Sequence, residues 1–402
     1  MIRIFCFLCL LLHQIAFASD AVWTDSEHRI IESLSLSKLP PKPDSPSNRY
    51  ADSALAIALG EQLFFDTRFS KNQQFSCASC HQPDNYFTDG AAVAKGVQAT
   101  GRNTPTVVGS AWQRWFYWDG RKDSLWSQAL IPFEAPNEMG GSRTAVVKHL
   151  LSDSDYRDQY IKLFGHTPSE LSPEDLALDA GPLGSEEMQD NWNQLGKKSQ
   201  RSINQVYVNI GKSLAAYQRT LTFKPSLFDR YAEQLRNNES TEKAVLNDDQ
   251  VSGLKLFINA EKTQCLQCHN TALLSNRGFH NVGSGTFNGP NLDFGRLFGL
   301  QAVLLDEFNC LGTYSDAKPD QCSALNYLNK RQHIPLQGAF KTPGLRNIRQ
   351  SDPYFHDGRF KTLEEVVNFY NNPPKDNGPH ELLPMGLDSK EVRQLVRFLE
   401  TL

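Results

Sequence analysis

Two short runs constrain this chain more than anything else in it: Cys77-Ala-Ser-Cys80-His81 and Cys265-Leu-Gln-Cys268-His269. Both read C-x-x-C-H, the pattern by which two thioether bonds attach a c-type haem and place the next histidine beneath its iron. A histidine on its own is more often packed or solvated, but inside this motif ligation is the better reading. His81 and His269 are therefore the expected proximal ligands, Cys77, Cys80, Cys265 and Cys268 the attachment points, and two covalently bound haems the expected cofactors. With 402 residues the chain exceeds what one ordinary core supports, so two domains are expected.

The remaining cysteines define the compartment. Arg3 precedes an apolar run from Ile4 to Leu12, and Ala16-Phe17-Ala18 offers a small-residue cleavage site before Ser19. Residues 1–18 read as a secretory signal peptide, which predicts a periplasmic protein. The run is well short of the roughly 20 apolar residues that span a bilayer, so no membrane span is expected. Cys9 follows Leu8 rather than a small residue, which argues against lipidation. Once Cys6 and Cys9 leave with the signal, the haem motifs take four of the six that stay. Cys310 and Cys322 are the even remainder, and a disulfide between them is expected to stabilise the chain by about 3 kcal/mol if unstrained. A formal net charge of -4, with Lys and Arg scattered along the chain, leaves no basic stripe for nucleic acid.

The two motifs sit in halves that repeat one another. Gly60-Glu-Gln-Leu63-Phe64 precedes the first and Gly253-Leu-Lys-Leu256-Phe257 the second. Downstream, Thr104-Pro105 leads to Trp118-Asp119-Gly120-Arg121 as Thr342-Pro343 leads to His356-Asp357-Gly358-Arg359, fourteen positions from Thr to the aromatic residue each time. Ser124-Leu125 then stands opposite Thr362-Leu363, where Thr362-Leu-Glu-Glu365 is a capping box that starts a helix. Ile203, Val206, Ile210, Leu214 and Tyr217 recur at helical spacing and predict a core helix that ends the first domain. Residues 171–200 read as an irregular insertion and residues 236–250, rich in Asn, Asp, Glu and Ser, as a solvated linker. Little alternation suggests strands. The expected fold is mainly α: two cytochrome-c-like haem domains, residues 19–235 and 251–402, facing one another.

The repeat also separates the two distal sides. Fourteen positions beyond His356 is Tyr370, and fourteen beyond Trp118 is Pro132. Phenolate is an established haem ligand that disfavours the ferrous state, whereas proline has no ligating side chain, so the first haem is expected to be open. An open ferric site beside a polar residue is what peroxide chemistry needs. Glu138 is the candidate acid and base, against its reading as a solvated carboxylate, and Gln128 on the same segment would help orient peroxide. Trp118 is the candidate electron bridge, or one member of a packed cluster with Trp112, Trp115, Phe116, Tyr117 and Trp126.

From about Ala51 to Leu402 these residues resemble the bacterial dihaem cytochrome c peroxidase and MauG family. The resemblance rests on both haem motifs, Arg102-Asn-Thr-Pro105, Trp118-Asp-Gly-Arg121, Asn137-Glu-Met139, and Lys341-Thr-Pro-Gly-Leu-Arg-Asn347 running into Tyr354-Phe-His-Asp-Gly-Arg359. It implies that Trp118 bridges the haems, that Gln128, Pro132 and Glu138 line the peroxide pocket, and that one calcium ion is held by the Asn103 side chain and the carbonyls of Ser351 and Pro353. Oxygen ligands suit calcium, although Asn103 also reads as a turn residue. Two departures from the typical peroxidases favour the MauG side: no His occurs between His81 and His149, and Tyr370 stands where those enzymes place Met. A third points away from MauG's amine dehydrogenase partner, because Thr263 occupies the position of its surface Trp.

Three functions follow from this reading. The first is a peroxidase that reduces hydrogen peroxide at the first haem, with electrons arriving through the second from a small periplasmic cytochrome or cupredoxin. The second uses the shared oxidised state of both haems to oxidise Trp or Tyr side chains of a partner protein. The third, an electron carrier alone, requires two six-coordinate haems and gives Glu138 no role.

Overall fold

The computed structural model describes residues 23–169, 171–174, 176, 179–237, 245–285, 293–329, 336–375 and 378–402. It is mainly helical. Among the described residues the one regular sheet has two short antiparallel strands, Phe279–His280 and Phe340–Lys341, with Phe279 opposite Lys341 and His280 opposite Phe340. The signal peptide expected over residues 1–18 lies outside the described residues. No described helix is long and apolar enough to cross a membrane.

Two hydrophobic cores organise the chain. In the first, helix Lys197–Gln218 buries Ile203, Val206, Ile210, Leu214 and Tyr217 against helices Ala54–Phe65 and Leu125–Glu134. In the second, helix Asp248–Ile258 packs on Ser389–Leu399 through Leu254, Phe257, Leu395 and Phe398, and Ser389–Leu399 packs in turn on Leu363–Asn371. Each fully buried side chain of this kind contributes about 1.5–3 kcal/mol. The repeated glycines set both crossings: a Cβ on Gly60 would run into the Ser213 carbonyl, and one on Gly253 into that of Gln394. The repeat continues in the turns. Phe116 bridges Lys122 as Tyr354 bridges Phe360, and the left-handed residues match, Tyr117 with Phe355 (φ 66° and 73°) and Gly120 with Gly358 (φ 68° and 62°). Ser124 then caps helix Leu125–Glu134, and the Thr362–Glu365 capping box starts helix Leu363–Asn371.

Three boundaries differ from those expected. Residues 171–200 are not irregular throughout: Ser185 caps helix Glu186–Gln194, and helix Lys197–Gln218 begins soon after. Met188 and Trp192, one turn apart, are both buried, Trp192 in the first core, and that packing rather than local periodicity holds the shorter helix. Helix Lys197–Gln218 does not end the chain's work in one core and start it in the other at residue 235. Helix Leu227–Arg236 buries Phe228, Tyr231 and Ala232 in the second core, beside Trp23, Ile31 and Leu34 from helix Asp25–Leu34 and the residue before its cap. The Trp23 indole donates to the Tyr231 hydroxyl at 2.7 Å. The linker of residues 236–250 is shorter than expected, since an Asn247–Gln250 capping box opens helix Asp248–Ile258; residues 238–244 lie outside the described residues.

Cys310 and Cys322 are joined by a disulfide. Their loop and the residues just before it belong to the second half of the sequence but lie on the first core, where acids meet buried cations: Asp306 with Lys122 (2.7 Å) and Glu307 with Arg143 (2.7 Å) before the loop, and Asp316 with Lys212 (2.8 Å) within it. Arg143 also pairs with the buried Glu134 at 2.9 Å.

Candidate haem pocket between the two halves

Each C-x-x-C forms a single helical turn, Cys77–Cys80 and Cys265–Cys268, with its histidine as the C-cap. The two imidazoles are aimed alike. Nδ1 of His81 lies 3.1 Å from the Phe87 carbonyl, and Nδ1 of His269 lies 3.0 Å from that of Leu274. Phe87 and Leu274 are both left-handed (φ 57° and 50°). An Nδ1–H donated to the carbonyl leaves the Nε2 lone pair for a metal. Burial pushes both imidazoles down in pKa, that of His269 to about 4, which keeps them in the neutral form that ligates. None of the four motif cysteines is in a disulfide.

The motifs face a shared cavity of about 870 Å³, lined by His81 and His269, all four thiols, Trp118 and Tyr370. Paired free thiols beside neutral, oriented imidazoles in a large, mostly apolar space are the donor set that covalently attached haem requires, so the residues fit two such groups.

Pro132 and Tyr370 are the eighth residues of helices Leu125–Glu134 and Leu363–Asn371, and both line the cavity. Pro132 has no N–H to give the Gln128 carbonyl one turn back. The Tyr117 hydroxyl donates to that carbonyl instead, at 3.3 Å, which brings Tyr117 to the same wall as Gln128 and Pro132. The turn after the helix carries Glu138, whose N–H donates to Ala135 and whose carbonyl accepts from Val97 at 2.8 Å. Its side chain also lines the cavity. Burial raises the Glu138 carboxyl above its ordinary range, only partly opposed by Arg121, whose guanidinium lies over the Tyr117 ring at 3.4 Å. On the other side burial, with Cys268 and Cys265 nearby, raises the Tyr370 phenol well above its usual pKa. A ferric ion's charge is what would turn that phenol into a phenolate ligand.

Trp118 sits at the junction. Its indole N–H donates to the Asn103 carbonyl at 3.0 Å, and its own carbonyl accepts from Lys341 N–H at 2.8 Å. Asn103 in turn donates its backbone N–H to His356 (2.8 Å) and its side-chain amide to Ala91 (3.0 Å). Ser351 and Pro353 line the same cavity as Asn103. Thr263 is buried, with its hydroxyl on the Leu256 carbonyl at 2.8 Å.

Several cavity residues belong to motifs or clusters named from the sequence but were given no role there. Arg102 joins Asp119 and Asp293 (2.8 Å each), tying the halves together, and His356 stacks on Phe340 with ring centres 3.7 Å apart. Tyr117 and Lys341 were likewise given no role, because their placement depends on left-handed backbone and a two-residue strand, neither of which has a periodic signal.

A family model described as di-haem cytochrome c peroxidase matches residues 54–237. The chain is 31% identical over 350 residues to the methylamine utilization protein MauG of Methylorubrum extorquens, covering 86% of this chain and 77% of that one. It is 30% identical over 376 residues to the cytochrome-c peroxidase IdrP1 of Denitromonas iodatirespirans, covering 91% and 86%. Among solved structures, a MauG-like protein associated with microbial copper homeostasis aligns at 25% identity with a TM-score of 0.61 over 90% of this chain and 94% of that one. The diheme peroxidase BthA from Burkholderia thailandensis shares the fold at 22% identity, with a TM-score of 0.64 over 90% and 88%. The chain belongs to the di-haem cytochrome c peroxidase family, whose members are oxidoreductases acting on peroxide with two c-type haems.

Proposed function

We propose that this protein is a periplasmic peroxidase that reduces hydrogen peroxide at the first haem, with electrons supplied through the second by a small cytochrome or cupredoxin. The observation that carries the reading is the pairing of Pro132 with Tyr370: equivalent helix positions in one cavity, only one of them able to ligate iron. When bound, the haem irons supply the electron-transfer chemistry that splits the O–O bond. The chain supplies the rest. Gln128 would orient peroxide beside Pro132, and Glu138 would take a proton from one peroxide oxygen and return it to the other as the O–O bond breaks. Two electrons and two protons convert each peroxide to two waters. His81 and His269 would hold the two haem irons, Tyr370 would add a ligand to the second, and Trp118 would lie on the electron route between the halves. Asn103, with the Ser351 and Pro353 carbonyls, would hold a calcium ion there. The secretory reading of residues 1–18 supports a periplasmic location.

A second reading, oxidation of Trp or Tyr side chains on a partner protein, is favoured by Tyr370 and by the relatives named MauG. Thr263 weighs against the same partner surface. Turnover separates the two. The peroxidase should oxidise two equivalents of a reduced small cytochrome per peroxide, and absence of donor oxidation would reject the first reading.

A further inference from the structure

Lys341 presents a charge that the protein does not answer. It is a residue of the junction cavity's lining, and among the described residues its ammonium forms no ion pair. The backbone leaves it little freedom to turn away. Strand Phe340–Lys341 is paired to Phe279–His280, Lys341 N–H donates to the Trp118 carbonyl at 2.8 Å, and Phe340 is stacked on His356. The acids around the junction are already engaged, Asp119 by Arg102 and Arg121, Asp293 by Arg102, and Glu381 by His280 at 2.6 Å, and the cation that acts on Glu138 in the same cavity is Arg121. Burial alone pushes the amine down to about 8, so the cation persists at neutral pH. An unpaired charge in such a site costs several kcal/mol, and the counter-charge has to come with whatever fills the cavity.

We propose that Lys341 pairs with a propionate carboxylate of a bound haem, holding that haem edge against the Trp118 backbone. This rests on the reading that the cavity holds two haems. Either haem can bring the carboxylate, since both motifs open onto the cavity. Lys341 is thus a positioning residue that also sets the charge beside one haem.

The test is the midpoint potential of each haem in the loaded protein, measured by spectroelectrochemistry for the parent, Lys341→Gln and Lys341→Arg, with haem content counted in each. Removing the cation leaves a carboxylate that favours ferric iron, so Lys341→Gln should lower the potential of one haem, and Lys341→Arg should restore it. Which haem moves identifies the source of the carboxylate. Two haems per chain with both potentials unmoved in Lys341→Gln would overturn the proposal while leaving the two-haem reading intact; fewer than two haems in the parent would overturn both. Should Lys341→Gln fail to fold, the propionate bending bands in resonance Raman decide: a change between parent and Lys341→Arg supports the pair, and identical bands reject it.

Discussion

Asn103 donates its backbone N–H to the carbonyl of His356 at 2.8 Å, while its own carbonyl accepts the Trp118 indole N–H at 3.0 Å. Trp118 and His356 are equivalent positions of the repeat, so one residue joins the two places where the halves diverge most in chemistry. The bridge is therefore fixed by hydrogen bonds and not by packing alone. Trp118→Phe keeps the apolar ring and loses the N–H to Asn103. It should leave peroxide binding at the first haem intact and uncouple the two haems, seen as separate spectral responses to peroxide; full coupling in that variant rejects the bridge.

Glu138 combines cavity exposure with a raised pKa, the combination expected of a group that both takes and returns a proton. Glu138→Gln should slow the reaction with peroxide by about two to four orders of magnitude in stopped-flow measurements. The pH dependence has a definite sign. The carboxylate is the accepting form, so the rate should fall as pH drops through a pKa above the ordinary 4.5. An acid limb at or below that value, or an unchanged rate in the variant, removes Glu138 from the proton transfer.

Replacing Tyr370 by Met or His removes an anionic ligand that disfavours ferrous iron, so the second haem should become easier to reduce. Its midpoint potential should rise. If the potential does not move, Tyr370 is not the ligand.

The segment that runs from Asp306 into the disulfide-closed loop predicts an effect on stability. Asp306→Asn leaves Lys122 buried without its partner, which should cost about 3–5 kcal/mol and lower the thermal midpoint. Arg49→Ala, which removes the exposed end of the Arg49–Asp316 pair, should cost about 1 kcal/mol or less. Similar midpoints for the two variants would mean that this segment does not clamp the first core.

Much of this was legible in the sequence because the repeat carries it. Two motifs placed His81 and His269, and counting from Trp118 and His356 reached Pro132 and Tyr370, since equal spacing through equal turns gives equal helix positions. What was not legible is non-local. Nothing in residues 227–236 says that Phe228 and Tyr231 bury beside Trp23 and not with the helix just before them. The placement of Tyr117 follows from a carbonyl that Pro132 cannot satisfy, and that of Lys341 from a strand too short to show alternation. In the stretch before Lys197, a helix held by Met188 and Trp192 was missed because its other residues are polar.

The central claim is an open first haem beside Glu138, and the diferric protein tests it directly. One equivalent of peroxide is added to the haem-loaded protein with no donor present, and the optical and EPR spectra are followed. Prompt loss of both ferric signals together is the predicted result. Absence of reaction until the second haem is reduced would contradict it, because a ligand from elsewhere in the chain would then be closing the first site.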